Sequence, residues 1–187
     1  DTVMNYPFYL NLIDLLADEK INVSQFIQNL GYLKGRLNKK CYPLMWNLID
    51  SHDTARFLHL CNDNKKKQHL AAAFQLLLPG MPMIYYGDEF AMPGANDPDC
   101  RRGMYWDEEY QDKEMFEWYK QLLKVRKNHA CIVEGEPIEI AARDEEETIV
   151  LTRKNGEETL ALIFNCSSSA RMFNAVSYTH LTLPTIY

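Results

Sequence analysis

The 187-residue sequence predicts an α/β fold: βα units around a parallel sheet, passing into an antiparallel β segment. Three observations carry this. Short apolar runs alternate with helix-period segments along the first two thirds of the chain. Each run ends abruptly in polar side chains. Farther on, Asn155-Gly156 sits between two β-rich stretches, which is the strongest short hairpin signal a sequence offers.

Taken in order, Thr2 to Tyr6 reads as a short strand stopped by Pro7. Phe8 to Asp18 places Leu12, Leu15 and Leu16 at helical spacing. Ser24 is a candidate N-cap for a helix over Gln25 to Leu33, with Phe26, Ile27, Leu30 and Leu33 on one face. Gly35 to Pro43 reads as a loop. Leu44 to Ile49 is a continuous apolar run, as expected of a strand buried on both faces. Lys67 to Leu78 is a helix ended by Pro79-Gly80, and Met81 to Tyr86 is a second buried strand. A turn-rich loop over 91–105 precedes an amphipathic helix from Met115 to Lys127, with Phe116, Tyr119, Leu122, Leu123 and Arg126 stepping round it. Thr148–Thr152 and Thr159–Phe164 are the hairpin strands. A boundary falls near 129–137.

Composition narrows the function classes. The chain is 47% hydrophobic, enough for a sizeable core, and its net charge of -6 supplies no positive field for nucleic acid or an anionic membrane surface. Lys65-Lys66-Lys67 reads as the solvated start of a helix. Cys41, Cys61, Cys100, Cys131 and Cys166 are odd in number and show no C-x-x-C pair, which points away from zinc and disulfides and toward a reducing, cytoplasmic compartment. No apolar run is long enough to span a bilayer. No cofactor or metal is expected.

In βα architectures the chemistry sits at the carboxyl ends of the strands. The polar ends here are Asn5-Tyr6, Ser51-His52-Asp53 and Gly87-Asp88-Glu89. Each admits a plain reading. Asp53 could cap a short helix from Thr54, His52 could be a structural histidine, and Gly-Asp often just makes a turn. Asp97, Asp99, Arg101 and Arg102 could form an ion-paired surface loop. Tyr6, Tyr85, Tyr86, Tyr105 and Trp106 could be core residues or the aromatic walls of a sugar cleft.

Four stretches in order, "VMNYPF", "LIDSHDTARF", "PGMPMIYYGDE" and "GANDPDCRRGMYWDEE", resemble the second half of an α-amylase-family enzyme, glycoside hydrolase family 13. The neopullulanase, cyclomaltodextrinase and maltogenic amylase group is most similar. The resemblance implies a (β/α)8 barrel followed by a β-sandwich domain. Residues 1–133 would be the last part of the barrel, from about strand six, with Leu44 to Ile49 as strand seven and Met81 to Tyr86 as strand eight. Residues 134–175 would begin the sandwich.

The resemblance also implies retaining hydrolysis of α-glucosidic bonds in maltodextrins, cyclodextrins or pullulan. Such chemistry uses a nucleophile and an acid/base about 5–5.5 Å apart. By the motif match, Asp53 is a third carboxylate that grips the distorted sugar, and His52 hydrogen-bonds the sugar beside it. Tyr6 lines the cleft, and Asp97 and Arg101 contact the sugar farther toward the non-reducing side. Arg56 supports the loop by ion pairing, and Glu89 is structural. Neither bond-breaking carboxylate has a match in this chain. The partner expected is an α-glucan oligosaccharide, and the resemblance allows a homodimeric parent. The alternative is a sugar- or partner-binding barrel without catalysis.

Asp1 in place of Met suggests a chain that begins inside a larger protein. Val176 to Thr185 resembles ten translated codons of a transposase-type sequencing-library adapter, so 176–187 is set apart from the fold. Three βα units alone leave open sheet edges and an uncovered interior. The isolated chain is therefore expected to aggregate and to turn over no cyclodextrin. A soluble, cooperatively unfolding monomer on size exclusion and calorimetry would refute the first expectation.

Overall fold

The computed structural model describes residues 2–171. The sequence expectations for 172–187, including the adapter-like stretch, lie outside them. Helix α1 (Tyr6–Leu12) continues into a π-helical turn, Ile13–Ala17. Then follow α2 (Val23–Arg36), β1 (Trp46–Asn47), α3 (Phe57–Leu60), α4 (Lys65–Leu77), β2 (Met81–Pro82) and α5 (Lys113–Asn128). A meander of β3 (Glu136–Arg143), β4 (Thr148–Asn155) and β5 (Glu158–Asn165) completes the order.

Two of the boundaries that differ from the sequence reading do so for a capping reason. Pro7 does not stop a strand. It lies in the first turn of α1, where a missing N–H costs nothing, and Asn5 caps that turn by accepting from the Phe8 N–H at 3.2 Å. Of the strand expected over Thr2–Tyr6, only Met4 bridges to Trp46, in parallel. Asn22, not Ser24, caps α2, accepting from the Gln25 N–H at 2.9 Å. The Ser24 N–H donates instead to Asp144 Oδ1 of the β3–β4 turn, at 2.9 Å. The helix then runs on through Gly35 to Arg36.

β1 and β2 pair in parallel, Trp46 opposite Met81 and Asn47 opposite Pro82. The ladders are shorter than the apolar runs because buried amides take over the backbone groups. Asn5 Nδ2 donates to Asn47 Oδ1 at 2.9 Å, and Asn47 Nδ2 to the Pro79 carbonyl at 3.0 Å. Gln75 Nε2 of α4 donates to the Met83 carbonyl at 2.7 Å and to that of Asn47 at 3.3 Å. Gly80 is required here. Its φ is +132°, and a Cβ would come within 2.5 Å of the Asn47 side chain.

These strands are not buried on both faces. Met45, Leu48 and Ile49 are buried, but Val3, Leu44, Trp46 and Met81 are exposed and neighbours across the pairing, and Tyr86 is exposed as well. The helices cover one side of the strands, and among the described residues nothing covers the other.

One hydrophobic core runs through the molecule. The small residues Ala71-Ala72-Ala73 let α4 approach its neighbours closely, and Phe74 inserts between Phe26 and Phe164. On α5 the buried stripe is Met115, Trp118, Tyr119 and Leu122. Phe116 and Leu123, expected on that stripe, are partly exposed, because the i, i+3, i+4, i+7 face starting at Met115 is the one turned to α4. Arg126 reaches the carboxyl end of α4, donating to the carbonyls of Leu76 (2.6 Å) and Gly80 (2.5 Å).

The meander is antiparallel in the order β3-β4-β5. Asn155 pairs with Glu158, so the loop is Gly156-Glu157, and Gly156 takes φ +59°. Ile149, Leu151, Leu160, Leu162 and Phe164 join the same core as the helices, with Phe164 stacked on Phe74 at 4.2 Å between centroids. Phe164→Ala should therefore loosen both layers. Its expected cost is about 3–5 kcal/mol, read as a lowered urea midpoint in the full-length protein. A midpoint within error of wild type would show that the stack carries no load.

Candidate active site

The loop from Asp50 to Phe57 carries most of the expected site. Its apolar lead, Leu48-Ile49, is fully buried and anchors the turn to the core. The turn closes locally: the Ser51 N–H donates to Thr54 Oγ1 at 2.9 Å, and the Asp53 N–H to Ser51 Oγ at 3.2 Å. These bonds push His52 and Asp53 outward, each with 57% of its side chain exposed.

Asp53 is not a helix cap. Helix α3 starts at Phe57, and the carboxylate that accepts from the Phe57 N–H, at 2.7 Å, is Asp50 Oδ2. Asp53 Oδ1 instead lies 3.2 Å from His52 Nε2 and 3.6 Å from Arg101 Nη2. Arg101 Nε is 2.9 Å from Asp97 Oδ1, and it donates to the His52 carbonyl at 2.9 Å. Cys100 Sγ approaches the same carbonyl at 3.5 Å. Four of the five residues singled out from sequence thus form one cluster, gathered by a single guanidinium.

The fifth, Tyr6, is joined indirectly. Its ring meets Tyr9 edge-on at 6.0 Å, and the Tyr9 phenol faces Thr54 of the turn. Burial raises the Tyr9 phenol above its ordinary range.

The loop after β2 is organised by its own ions. Arg102 grips Asp99 with two bonds, 2.6 and 2.9 Å, and Asp99 Oδ2 also accepts from the Ala95 N–H at 2.7 Å. The Arg102 bond holds the Asp99 carboxyl below its usual range. Glu89 folds back on its own turn, accepting from the Gly87 N–H at 2.7 Å. The plain and functional readings of this loop are compatible: Asp99 and Arg102 shape it, and Asp97 and Arg101 face His52.

Beneath the turn lies a buried group in which Arg56, expected to pair, meets Asp50 and Asp88. Arg56 is 0% exposed, and Asp50 and Asp88 1% each. Arg56 Nη1 lies 3.3 Å from Asp88 Oδ1 and donates to the Tyr86 carbonyl at 2.9 Å. The guanidinium also lies over the rings of Tyr85 (4.5 Å) and Tyr86 (5.0 Å). The expected ion pairing of Arg56 is present, with Asp88 as partner. The available signal was position: Asp50 closes an apolar run and Asp88 follows one, where a charge needs a buried counter-charge.

The arrangement offers two exposed carboxylates, an imidazole and a guanidinium on a rigid, charged foundation. It can accept and donate many hydrogen bonds to a polyhydroxylated ligand. Among the described residues no group of His, Cys, Asp and Glu is disposed to hold a metal ion, and no helix is long and apolar enough to cross a membrane.

Comparison with known proteins identifies the family. A family model described as "Alpha amylase, catalytic domain" matches residues 1–135. A cyclomaltodextrinase of Geobacillus thermopakistaniensis is 39% identical over 170 residues, 91% of this chain and 29% of the relative. Neopullulanase 2 of Thermoactinomyces vulgaris is 43% identical over 135 residues, 72% of this chain and 23% of the relative. A solved cyclomaltodextrinase structure superposes with a TM-score of 0.82 at 34% identity, covering 87% of this chain and 28% of that one. The chain spans less than a third of the length of these relatives. An α/β fold of the TIM-barrel type accounts for the parallel strands and flanking helices. The chain belongs to the α-amylase family, and its residues 1–135 match that family's catalytic domain.

Proposed function

We propose that the protein containing this chain is a cytoplasmic, retaining glycoside hydrolase that cleaves α-glucosidic bonds in maltodextrins, cyclodextrins or pullulan. The observation that carries this reading is the Arg101-centred cluster. It draws His52 and Asp53 from one strand-end loop and Asp97 from another into one hydrogen-bonding surface. In this reading Met4, β1 and β2 belong to barrel strands six, seven and eight, and residues 134–175 open the β-sandwich. Five unpaired cysteines suit a reducing compartment.

Asp53 grips hydroxyls of the sugar at the scissile bond. Its carboxylate is held between His52 Nε2 and Arg101 Nη2, so its orientation is set before substrate arrives. Acceptors fixed in advance cost no reorganisation as the oxocarbenium-like transition state forms, which is where such groups act most strongly. His52 donates to an adjacent hydroxyl, and its main chain is pinned by Arg101 Nε. Asp97 and Arg101 meet the next sugar toward the non-reducing side, and Tyr6 lines the cleft. The nucleophile and the acid/base lie on a part of the polypeptide outside this chain, so the chain alone is inactive.

The test uses the full-length protein. Asp53→Asn should lower kcat on a cyclodextrin at least about 100-fold. Near wild-type turnover would sink the role given to Asp53. Arg101→Met should raise KM more than it lowers kcat, while unfolding free energy stays within about 1 kcal/mol, because the Arg101 pairs are half exposed.

A further inference from the structure

The Asp50–Arg56–Asp88 group plays no part in gripping sugar, yet it holds three formal charges out of solvent. Asp88 Oδ1 lies 3.3 Å from Arg56 Nη1, Asp50 Oδ2 takes the N–H of the next residue, Phe57, and the two carboxyls act on each other. Even so, Asp50 Oδ1 and Asp88 Oδ2 are buried with no donor among the described residues. With both carboxylates ionised, two negative charges face one guanidinium, and two lone-pair sites stay empty. One proton between the carboxyls removes the excess charge and satisfies both oxygens.

We propose that Asp50 and Asp88 are a carboxyl–carboxylate pair sharing one proton beside Arg56, and that this pair positions the His52–Asp53 turn. The link to position is covalent and short. Asp50 precedes the turn and Arg56 follows it. Asp50 Oδ2 takes the Phe57 N–H, the Arg56 N–H donates to the Gly94 carbonyl at 2.9 Å, and Gln68 Nε2 of α4 donates to the Asp88 carbonyl at 3.1 Å. A net charge appearing in this group strains both ends of the turn at once.

Other groups face the pair from each packed element: Tyr9 of α1 toward Asp50, Tyr119 of α5 toward both carboxyls, and Glu89 toward Asp88. All are neutral or negative and none relieves the excess charge. Burial pushes Asp50 up to about 6, opposed by the Phe57 N–H, Asp88 and Arg56. Burial, then the Asp50 charge, pushes Asp88 well above the carboxylate range. Both shifts run toward the protonated form, so the two carboxyls hold one proton between them.

The folded state binds more protons than the unfolded one, whose aspartates titrate near about 4. Stability from this pair is full below that pH and falls as pH rises through about 6 and on through the titration of Asp88. An Asn at either position keeps a donor toward the remaining carboxylate, which Arg56 then neutralises.

The experiment compares full-length wild type with Asp88→Asn and Asp50→Asn by infrared spectroscopy in light and heavy water. Wild type should show a protonated-carboxyl stretching band at neutral pH that both variants lose. The thermal midpoint of wild type should drop from about pH 5 to about pH 8 more steeply than that of either variant. On a cyclodextrin, the alkaline limb of the wild-type kcat profile, about tenfold per pH unit, should shift or vanish in the variants with KM little changed. No band at neutral pH, or a band surviving both substitutions, overturns the pair, and superimposable kcat profiles overturn its positioning role. The positioning role rests on the glycosidase reading, but the band does not. A folded protein with the band and no hydrolysis supports the pair and counts against the glycosidase reading.

Discussion

The buried guanidinium of Arg56 is the constraint around which the site is arranged. A charge with no exposed surface must find its partners inside the protein, and those partners dictate where the surrounding chain can run. Arg56 finds the Tyr86 carbonyl, the Asp88 carboxyl and two tyrosine faces, all on the segment that follows β2. Its own N–H is fixed to the Gly94 carbonyl. One residue thus binds the loop after β1 to the loop after β2. Because Gly94 opens the stretch that carries Asp97 and Arg101, the two halves of the candidate site are joined below as well as at the surface.

The two tiers of charge do different work. Arg101, Asp53, His52 and Asp97 are about half exposed, so their mutual attraction is screened and adds little to stability. Their worth is orientation, and water-facing groups can exchange each other for ligand hydroxyls. The lower tier cannot exchange with solvent. Removing Arg56 leaves the buried carboxyls without a counter-charge, which is far costlier than losing a surface pair. A firm tier below and an exchangeable tier above suit a site that must be both preorganised and wet.

Much of this was legible in the residues, and the gaps have physical causes. Helices α4 and α5 were visible from their periodicity and stops, and the β4–β5 hairpin from Asn155-Gly156. The exposed face of the strands matches the uncovered interior expected of three βα units. Continuous apolar runs at 44–49 and 81–86 promised coverage on both faces, but a run records only what its residues tolerate. Among the described residues nothing packs on the face that carries Val3, Leu44, Trp46 and Met81. The buried stripe of α5 was placed about one residue off because Phe116 and Met115 are both apolar, and only packing against α4 chooses between them. His52, Asp53, Asp97 and Arg101 were readable because their motifs are local. The pairing of Arg56 with Asp88 was not, because that buried contact joins residues 32 apart, which no short motif encodes.

Helix α4 explains how the meander, remote in sequence, bears on the site. Its Phe74 packs between Phe26 of α2 and Phe164 of β5. One residue on, Gln75 holds the backbones of both parallel strands through the carbonyls of Asn47 and Met83. Nearly two turns earlier, Gln68 holds the Asp88 carbonyl beneath the site. A rigid helix transmits position along its length, so wherever the meander sets Phe74, the two glutamines set the strand ends and the buried carboxyl pair. The β layer is thereby coupled to the geometry of the turn without touching it. The coupling runs through packing and amide hydrogen bonds, both of which tolerate little displacement.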